Sequence, residues 1–225
     1  MQAPLIIGYW NIRGFAQPIK LLLSYVGREF ETKQYCLGPA PTYSNKAWKS
    51  VKYSLGLPFP NLPYLIDGDV KIVQSHAILK YFGRQHNLCG TTEEERIRMD
   101  IMEHQLEDTL NAHISVCYST YFGHGKHEDR KAEYLKHLPY TLRQYSEFLA
   151  DHPWFAGENI TFVDFIAYDL FDIHRVFSPG CLDGYKNIAD YMEKFEELPA
   201  IEKYMHSGKF LRRPIYNKPA DWRGD

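Results

Sequence analysis

The sequence lacks paired cysteines, long apolar runs and clusters of basic residues. Its cysteines form no Cys-x-x-Cys pair, which argues against a zinc site or a dithiol redox motif. No apolar stretch approaches the roughly 20 residues that a membrane-spanning helix needs, and the first residues lack the basic segment of a secretory signal. We therefore expect a cytoplasmic protein whose thiols stay free in a reducing compartment. The four cysteines are Cys36, Cys89, Cys117 and Cys181.

The charge balance argues against binding to nucleic acid or to a membrane surface. The chain carries 26 basic and 28 acidic residues, a net charge of −2, which would not attract a phosphate backbone. It has no Gly-rich phosphate-binding loop and no nucleophile elbow. His124 and His127 lie in a polar, Gly-containing segment that is better explained as a solvated loop than as a metal site. We expect no metal, nucleic-acid or membrane partner.

The two halves of the 225-residue chain differ in predicted secondary structure. In residues 1–85, short apolar runs and one helical stripe predict the order β-α-β followed by β-β-α. The first two strands are predicted near residues 4–9 and 30–36, with a helix over residues 15–26 between them. A long loop over residues 38–60 follows.

The β-β-α segment begins with a predicted hairpin, because two β runs flank an Asp-Gly pair. Pro63 precedes the first of these runs, and an X-Pro bond there is a candidate cis bond that would leave the backbone of Leu62 free to pair with an extended peptide. Ser75 is predicted to be the N-cap of a helix over residues 76–86, whose N-terminus suits a carboxylate. An ordinary turn at Pro63 and a plain capping role for Ser75 are the alternatives.

Residues 93–225 are predicted to be all-helical. Three Glu residues open a long helix at its electropositive end. Thr161 and Asp164 have the spacing of a capping box in front of another helix. The apolar positions of the first helix include Ile97, Ile101 and Ile114, and further helices are predicted over residues 131–150, 163–177 and 188–198.

Tyr9 stands at the C-terminal end of the first predicted strand, where open sheets bind ligands. Its hydroxyl can donate a hydrogen bond to a developing anion. A thiol with a pKa near 8.5 is only about 3% ionised at neutral pH, whereas a donor that lowers this pKa by about two units makes thiolate the main form. A structural Tyr with a satisfied hydroxyl is the alternative that the local sequence favours.

Motifs in both halves together resemble the cytosolic glutathione transferases of the mu class, and the likeness covers nearly the whole chain. The segments that carry it are residues 8–14 (GYWNIRG), 16–19 (AQPI), 56–57 (GL), 59–68 (FPNLPYLIDG), 74–75 (QS), 93–98 (EEERIR), 154–157 (WFAG) and 163–165 (VDF). The resemblance implies an α/β plus all-α architecture. A thioredoxin-like domain over residues 1–85 would be joined by a linker, residues 86–92, to an all-helical domain over residues 93–225.

The resemblance also implies a role for each residue of a glutathione site. Tyr9 would hydrogen-bond the thiolate of glutathione, a co-substrate, so no cofactor is implied. The other expected contacts are Trp10 beside glutathione, Trp48 and Lys52 at its glycine end, Asn61 and the Leu62 backbone at its cysteinyl part, Gln74 and Ser75 at its γ-glutamyl carboxylate, and Asp108 reaching its amine from the other subunit of a homodimer.

An electrophile pocket and a dimer contact are implied as well. The expected activity is attack of the thiolate on a hydrophobic electrophile by substitution or addition. Phe59 resembles the aromatic key that such subunits insert into each other. A non-catalytic carrier of apolar ligands, or an isomerase or peroxidase that uses the same thiolate, are the alternatives. The pocket residues would be Trp10, Phe15, Ile114, Tyr118 and Asn217, with Tyr118 able to assist the chemistry.

The chain departs from the family pattern at four places. Asn45 stands where a basic residue is common, so one carboxylate contact is missing. Phe15 replaces the usual Leu, which narrows the pocket or adds stacking, and Pro58 stands where an acid is common. Residues 121–130 are several residues longer than usual, so the substrate preference of the family is not transferred to this chain.

Overall fold

The sheet is built around the first apolar run of the chain. In the computed structural model, which describes residues 4–225, β1 (Ile6–Trp10) lies between a parallel neighbour, β2 (Glu31–Tyr35), and an antiparallel one, β3 (Tyr64–Asp67). β4 (Val70–Val73) pairs with β3 and completes the order β2-β1-β3-β4. The three middle residues of β1 are buried, as expected of a central strand. The predicted strands and hairpin are confirmed.

Three helices accompany the sheet. A short 3-10 turn leads into α1 (Gln17–Tyr25), and α3 (Ser75–Gln85) follows β4. Between them, α2 (Lys46–Lys49) lies inside the segment predicted to be a loop. The loop prediction is wrong there because a helix of one turn is too short to produce a periodic apolar pattern.

The start of α3 also differs from the prediction. Ser75 is the first helical residue, and Gln74 is the N-cap, with no hydrogen bond from its side chain. Gln74 has a φ of 73°, which is uncommon for a residue with a Cβ. Because Gln74 turns the chain sharply out of β4, the helix begins one residue before the predicted point.

Five helices follow within the described residues, and they confirm the all-helical second half. Four of them correspond to predicted helices, and both predicted helix-start motifs form capping boxes. α8 is missed because it is short, although its N-terminal Pro199 is a typical start signal. The helices are α4 (Glu93–Cys117), α5 (His127–Leu149), α6 (Phe162–Phe177), α7 (Lys186–Glu196) and α8 (Pro199–Met205).

The two halves meet where α1 packs against α6, a helix that is buried on nearly all sides. A buried ion cluster reinforces this contact. The Arg13 Nε donates to Asp169 Oδ1 at 2.8 Å, and its guanidinium also pairs with Asp172. Burial raises the pKa of Asp169 to about 6 against the opposing effect of Arg13. Removing one partner of such a pair typically costs about 3–5 kcal/mol, so the cluster fixes the segment after β1 against α6.

One side of α4 faces away from this core. Their apolar character suggested that Ile97 and Ile101 pack into the core. Ile97 is instead 52% exposed and Ile101 is 51% exposed. They lie four residues apart and therefore on the same side of the helix. Ile114, near the other end of α4, is half-buried.

Candidate active site

The hydroxyl of Tyr9 is held by the turn that follows β1. Tyr9 is only 4% exposed, and its Oη accepts a hydrogen bond from the Phe15 N–H at 3.1 Å. Gly14 makes this approach possible: it has a φ of +38°, and a Cβ at this position would lie 2.6 Å from the Tyr9 Oη. A side chain at residue 14 would therefore displace the hydroxyl.

Tyr9 is a hydrogen-bond donor at any pH the protein would meet. Burial raises the pKa of Tyr9 far above its usual range, and the smaller effect of the Phe15 N–H does not offset it. Since one lone pair of the Oη already accepts from Phe15, the hydroxyl proton is left to point elsewhere. The structure thus supplies a neutral phenol that can stabilise an anion without losing its own proton.

A mostly apolar cavity of about 240 Å³ lies beside Tyr9. We call it the inner cavity. Its walls come from the end of β1 and the turn after it, the starts of α1 and α3, the helices α4 and α6, and the segments after α4 and α8. It brings together six of the residues singled out in the sequence: Tyr9, Trp10, Phe15, Ile114, Tyr118 and Asn217.

A second cavity, of about 350 Å³, lies at the N-terminus of α3. We call it the α3 cleft. Phe15 and Ser75 line both cavities, so the two volumes adjoin. The α3 cleft brings together the four remaining polar-contact candidates from residues 61–75, which are Asn61, Leu62, Gln74 and Ser75.

The backbone at this cleft has two unusual conformations. The Leu62–Pro63 bond is cis, one of the two possibilities that the sequence left open, and Gln74 is in the left-handed region. A left-handed conformation such as that of Gln74 persists where its surroundings fix it, and such strained positions cluster at binding sites. The Leu62 N–H is not free, because it donates to the Asn61 Oδ1 at 2.9 Å.

Three predicted contact residues lie outside both cavities. Trp48 is 5% exposed and stacks on Tyr64 with 5.9 Å between ring centroids. The Lys52 Nζ lies 5.4 Å from the centroid of the Tyr53 ring. Asp108 is on an exposed side of α4. Within one subunit, therefore, the predicted glycine-end contacts and the predicted amine contact do not converge on the α3 cleft.

The sequence analysis missed an ionic pair in the α3 cleft. His76 lines both cavities, and its Nδ1 lies 3.1 Å from Glu103 Oε1. The Lys80 Nζ is 2.6 Å from the other oxygen of the same carboxylate. Burial alone would raise the pKa of Glu103, but His76 and Lys80 hold it below its usual range. His76 directly follows Ser75, so adjacency in the sequence was an available signal.

The wall around Tyr118 was only partly anticipated. The Asn217 N–H donates to the Tyr118 Oη at 2.8 Å, and burial raises the pKa of Tyr118 to about 12. Phe122 and Tyr216 also line the inner cavity. The Tyr216 Oη is 2.7 Å from Nδ1 of the buried His113. Only the folded chain reveals that His113 supports this wall.

Two absences within residues 4–225 bear on other functions. No group of three or more His, Cys, Asp or Glu side chains in this range is arranged to hold a metal ion. No helix of the same residues is both long and apolar enough to cross a membrane.

Comparisons with known proteins identify the family. The family model described as "Glutathione S-transferase, N-terminal domain" matches residues 6–84, and "Glutathione S-transferase, C-terminal domain" matches residues 107–208. The chain is 52% identical to Glutathione S-transferase Mu 1 of Oryctolagus cuniculus, covering 98% of this chain and 99% of that one, and 53% identical to Mu 2 of Rattus norvegicus, covering 97% and 98%.

Solved structures agree with these matches. The crystal structure of the glutathione S-transferase Blo t 8 superposes with a TM-score of 0.87 at 35% identity, covering 97% of this chain and 99% of that one. A pi-class glutathione S-transferase of Onchocerca volvulus gives 0.82 at 25% identity, covering 97% and 100%. The chain therefore belongs to the glutathione S-transferase family, in its mu class.

Proposed function

We propose that this protein conjugates glutathione to hydrophobic electrophiles, with Tyr9 as the residue that activates the thiol. The observation that carries the proposal is the neutral, buried Tyr9 hydroxyl, held by the Phe15 N–H beside an apolar cavity. A phenol in this state stabilises a thiolate by donating a hydrogen bond to it. The thiolate then attacks the electrophile in the inner cavity, and Tyr9 keeps its proton throughout.

Glutathione fits the charges around the α3 cleft. Its γ-glutamyl carboxylate would lie at the N-terminus of α3, where Gln74 and Ser75 stand and where free N–H groups favour an anion. Asn61 and the Leu62 backbone would contact the cysteinyl part in place of their present mutual hydrogen bond. The glycine end would lie toward Trp48 and Lys52, with Trp10 between the peptide and the electrophile, and Asp108 of the partner subunit would receive the amine.

We further propose that the protein is a cytoplasmic homodimer that needs no cofactor. Phe59 is 89% exposed, the highest value among the exposed large apolar side chains of the described residues. The exposed Ile97 and Ile101 on α4 offer a second apolar area. Burying both against a second copy of the chain would explain their exposure and would bring Asp108 toward the other active site. The proposed domains remain residues 1–85 and 93–225.

A conjugation assay tests the proposal. The purified protein, mixed with glutathione and an aryl halide, should show spectrophotometric turnover well above the uncatalysed rate. Glutathione binding is measured in parallel by isothermal titration calorimetry. Binding without turnover would contradict the enzyme proposal and leave the carrier of apolar ligands.

A further inference from the structure

A third cavity, of about 370 Å³, adjoins the inner cavity. We call it the outer cavity. Trp10, Tyr118 and Asn217 line both volumes, so the two volumes adjoin at these three residues, which we call the partition. Trp10 directly follows Tyr9 in β1. One of the three partition residues is therefore the sequence neighbour of Tyr9, whose hydroxyl is proposed to hold the thiolate.

Specific contacts fix the walls of the outer cavity. The Lys218 Nζ donates to Leu37 O at 2.8 Å, which ties the C-terminal segment to the loop between β2 and α2. Within that loop, the Gly38 N–H donates to Ser44 O at 2.8 Å. Both connections involve backbone groups, so the cavity is a built feature of the fold.

The partition is fixed in the same way. The hydrogen bond from the Asn217 backbone N–H to the Tyr118 Oη joins two of its three residues. The Thr120 N–H donates to Asp221 Oδ2 at 2.9 Å, which anchors the segment after α4 to the C-terminal segment. A ligand that reaches across the partition would meet surfaces that are already in place, so little ordering free energy would be lost on binding.

The two cavities differ in chemistry. The inner cavity is lined mainly by aliphatic and aromatic side chains. The described side chains around the outer cavity include no charged group, but six of them end in a hydroxyl or an amide: Thr42, Tyr43, Asn45, Tyr118, Tyr121 and Asn217. A ligand part in the outer cavity would therefore meet hydrogen-bonding groups but no side chain of opposite charge, which favours an uncharged tail that forms hydrogen bonds.

The cavity volumes also favour a ligand with two parts, one in each cavity. A cavity of about 150 Å³ can hold benzene, so the inner cavity suits one substituted ring or a short alkenyl group. Sites for drug-sized ligands occupy roughly 300–1,000 Å³. With the α3 cleft taken by glutathione, the inner cavity reaches this range only together with the outer one.

We propose that the outer cavity is a second subsite for the electrophile. The preferred substrates are elongated, with an apolar reactive end in the inner cavity and an uncharged, hydrogen-bonding tail in the outer cavity. This inference rests on the proposed transferase function and names the substrate class of the same site.

Two enones with one reactive core test the subsite. One is a single-ring aryl enone, and the other carries a flexible para chain that ends in a hydroxyl. In both reactions the thiolate sulfur bonds to the β-carbon, the π electrons move to the carbonyl oxygen, and a proton from water completes the ketone. The wild-type kcat/KM should favour the extended enone by roughly tenfold, since the chain buries a few methylene groups.

Two variants test where the chain binds. Thr42→Trp fills the outer cavity, and Tyr121→Ala removes part of its wall. Each should lower the ratio of the two kcat/KM values, extended over short, toward one. Ala132→Trp and Tyr140→Ala make matched changes on exposed faces of α5, and both should leave the ratio as in the wild type.

Two results would overturn the subsite. An unchanged ratio in both cavity variants is the first. The second is a higher KM for glutathione with both enones at an unchanged ratio, because the outer cavity would then hold part of the peptide.

Binding separates this inference from the transferase proposal. The saturated, unreactive analogue of the extended enone should bind the wild type roughly tenfold more tightly than Thr42→Trp by calorimetry. Equal affinity would refute the subsite whether or not the protein turns over either enone. Tight, variant-sensitive binding without turnover would keep the subsite and contradict only the transferase activity.

Discussion

Tyr9 is surrounded by two backbone features that act on its hydroxyl before any ligand arrives. Gly14 leaves room for the Oη, and the Phe15 N–H occupies one of its lone pairs. Tyr9→Phe removes the donor with little change in shape. The pKa of the glutathione thiol in the complex should then rise by about one unit or more. The measurement is a pH titration of the ultraviolet thiolate absorbance of the enzyme–glutathione complex.

The direction in which activity changes with pH is set by the pKa of the glutathione thiol. Because the pKa of Tyr9 lies far above its usual range, Tyr9 itself does not titrate during the experiment. Activity should increase as the pH rises through the thiol pKa, and this increase should move to higher pH in Tyr9→Phe. Tyr140→Phe, on the exposed face of α5, is the control. An identical thiolate titration in Tyr9→Phe and the wild type would show that another group stabilises the anion.

At the scale of single residues, the sequence predicted what is local. Tyr9, Trp10 and Phe15 belong to one strand end and the turn after it, so their shared cavity could be expected from the motif. Trp48 lies in a segment whose packing depends on two distant strands, and it stacks on Tyr64 outside the cavities. His76 was missed because its partner Glu103 is 27 positions away in the sequence, on another helix.

At the scale of helices, two capping boxes have the same hydrogen-bond pattern in opposite environments. Glu95 accepts from the N–H groups of Thr91 and Thr92 at the start of α4, and Asp164 accepts from the Thr161 N–H at the start of α6. The hydrogen bonds from Thr91 and Thr92 lower the pKa of the partly exposed Glu95 to about 2. Burial raises the pKa of Asp164 to about 6, although its hydrogen bonds oppose this.

The two caps should therefore stabilise the protein in different pH ranges. Relative to Glu95→Gln, the wild-type advantage in unfolding free energy should be complete above about pH 4.5 and should shrink as the pH falls toward 2. Relative to Asp164→Asn, the advantage should be largest below about pH 4 and should decline as the pH rises through about 6. Denaturant titrations of the three proteins at several pH values measure both. A decline in the same direction for both variants would refute the assigned role of burial.

Long helices were predictable and short ones were not. α4 and α6 have capping motifs and enough turns to show an apolar pattern. α2 has four residues and α8 has seven. Each has only one or two turns, so it shows no periodic apolar pattern and could be predicted only from its composition. The exact start of α3 depends on the left-handed Gln74, which no local rule would favour over Ser75 as a cap.

At the scale of the whole molecule, the fold class followed from the order of strands and helices, but the assembly did not. The inner cavity lies where α1 packs on α6, and the Arg13 ion cluster that supports this contact joins residues about 160 positions apart. The exposure of Ile97 and Ile101 could not be predicted either, since the apolar pattern of a helix does not say which surface covers each position. For Phe59, only the family resemblance implied a contact with a second subunit.

The oligomeric state can be tested at Phe59, whose side chain is almost fully exposed in the single chain. If Phe59 inserts into a second copy, Phe59→Ser removes a central apolar anchor, and the dimer dissociation constant should rise at least roughly 30-fold. Sedimentation velocity over a concentration series measures the change.

Tyr140→Ser, at a second exposed aromatic residue on α5, is the control and should leave the dissociation constant as in the wild type. Activity per subunit should fall in Phe59→Ser at concentrations where it is monomeric, because the contact proposed for Asp108 of the partner subunit is then lost. A variant that stays dimeric at the lowest measurable concentration would show that Phe59 is not the key, and a fully active monomer would show that each subunit completes its own site.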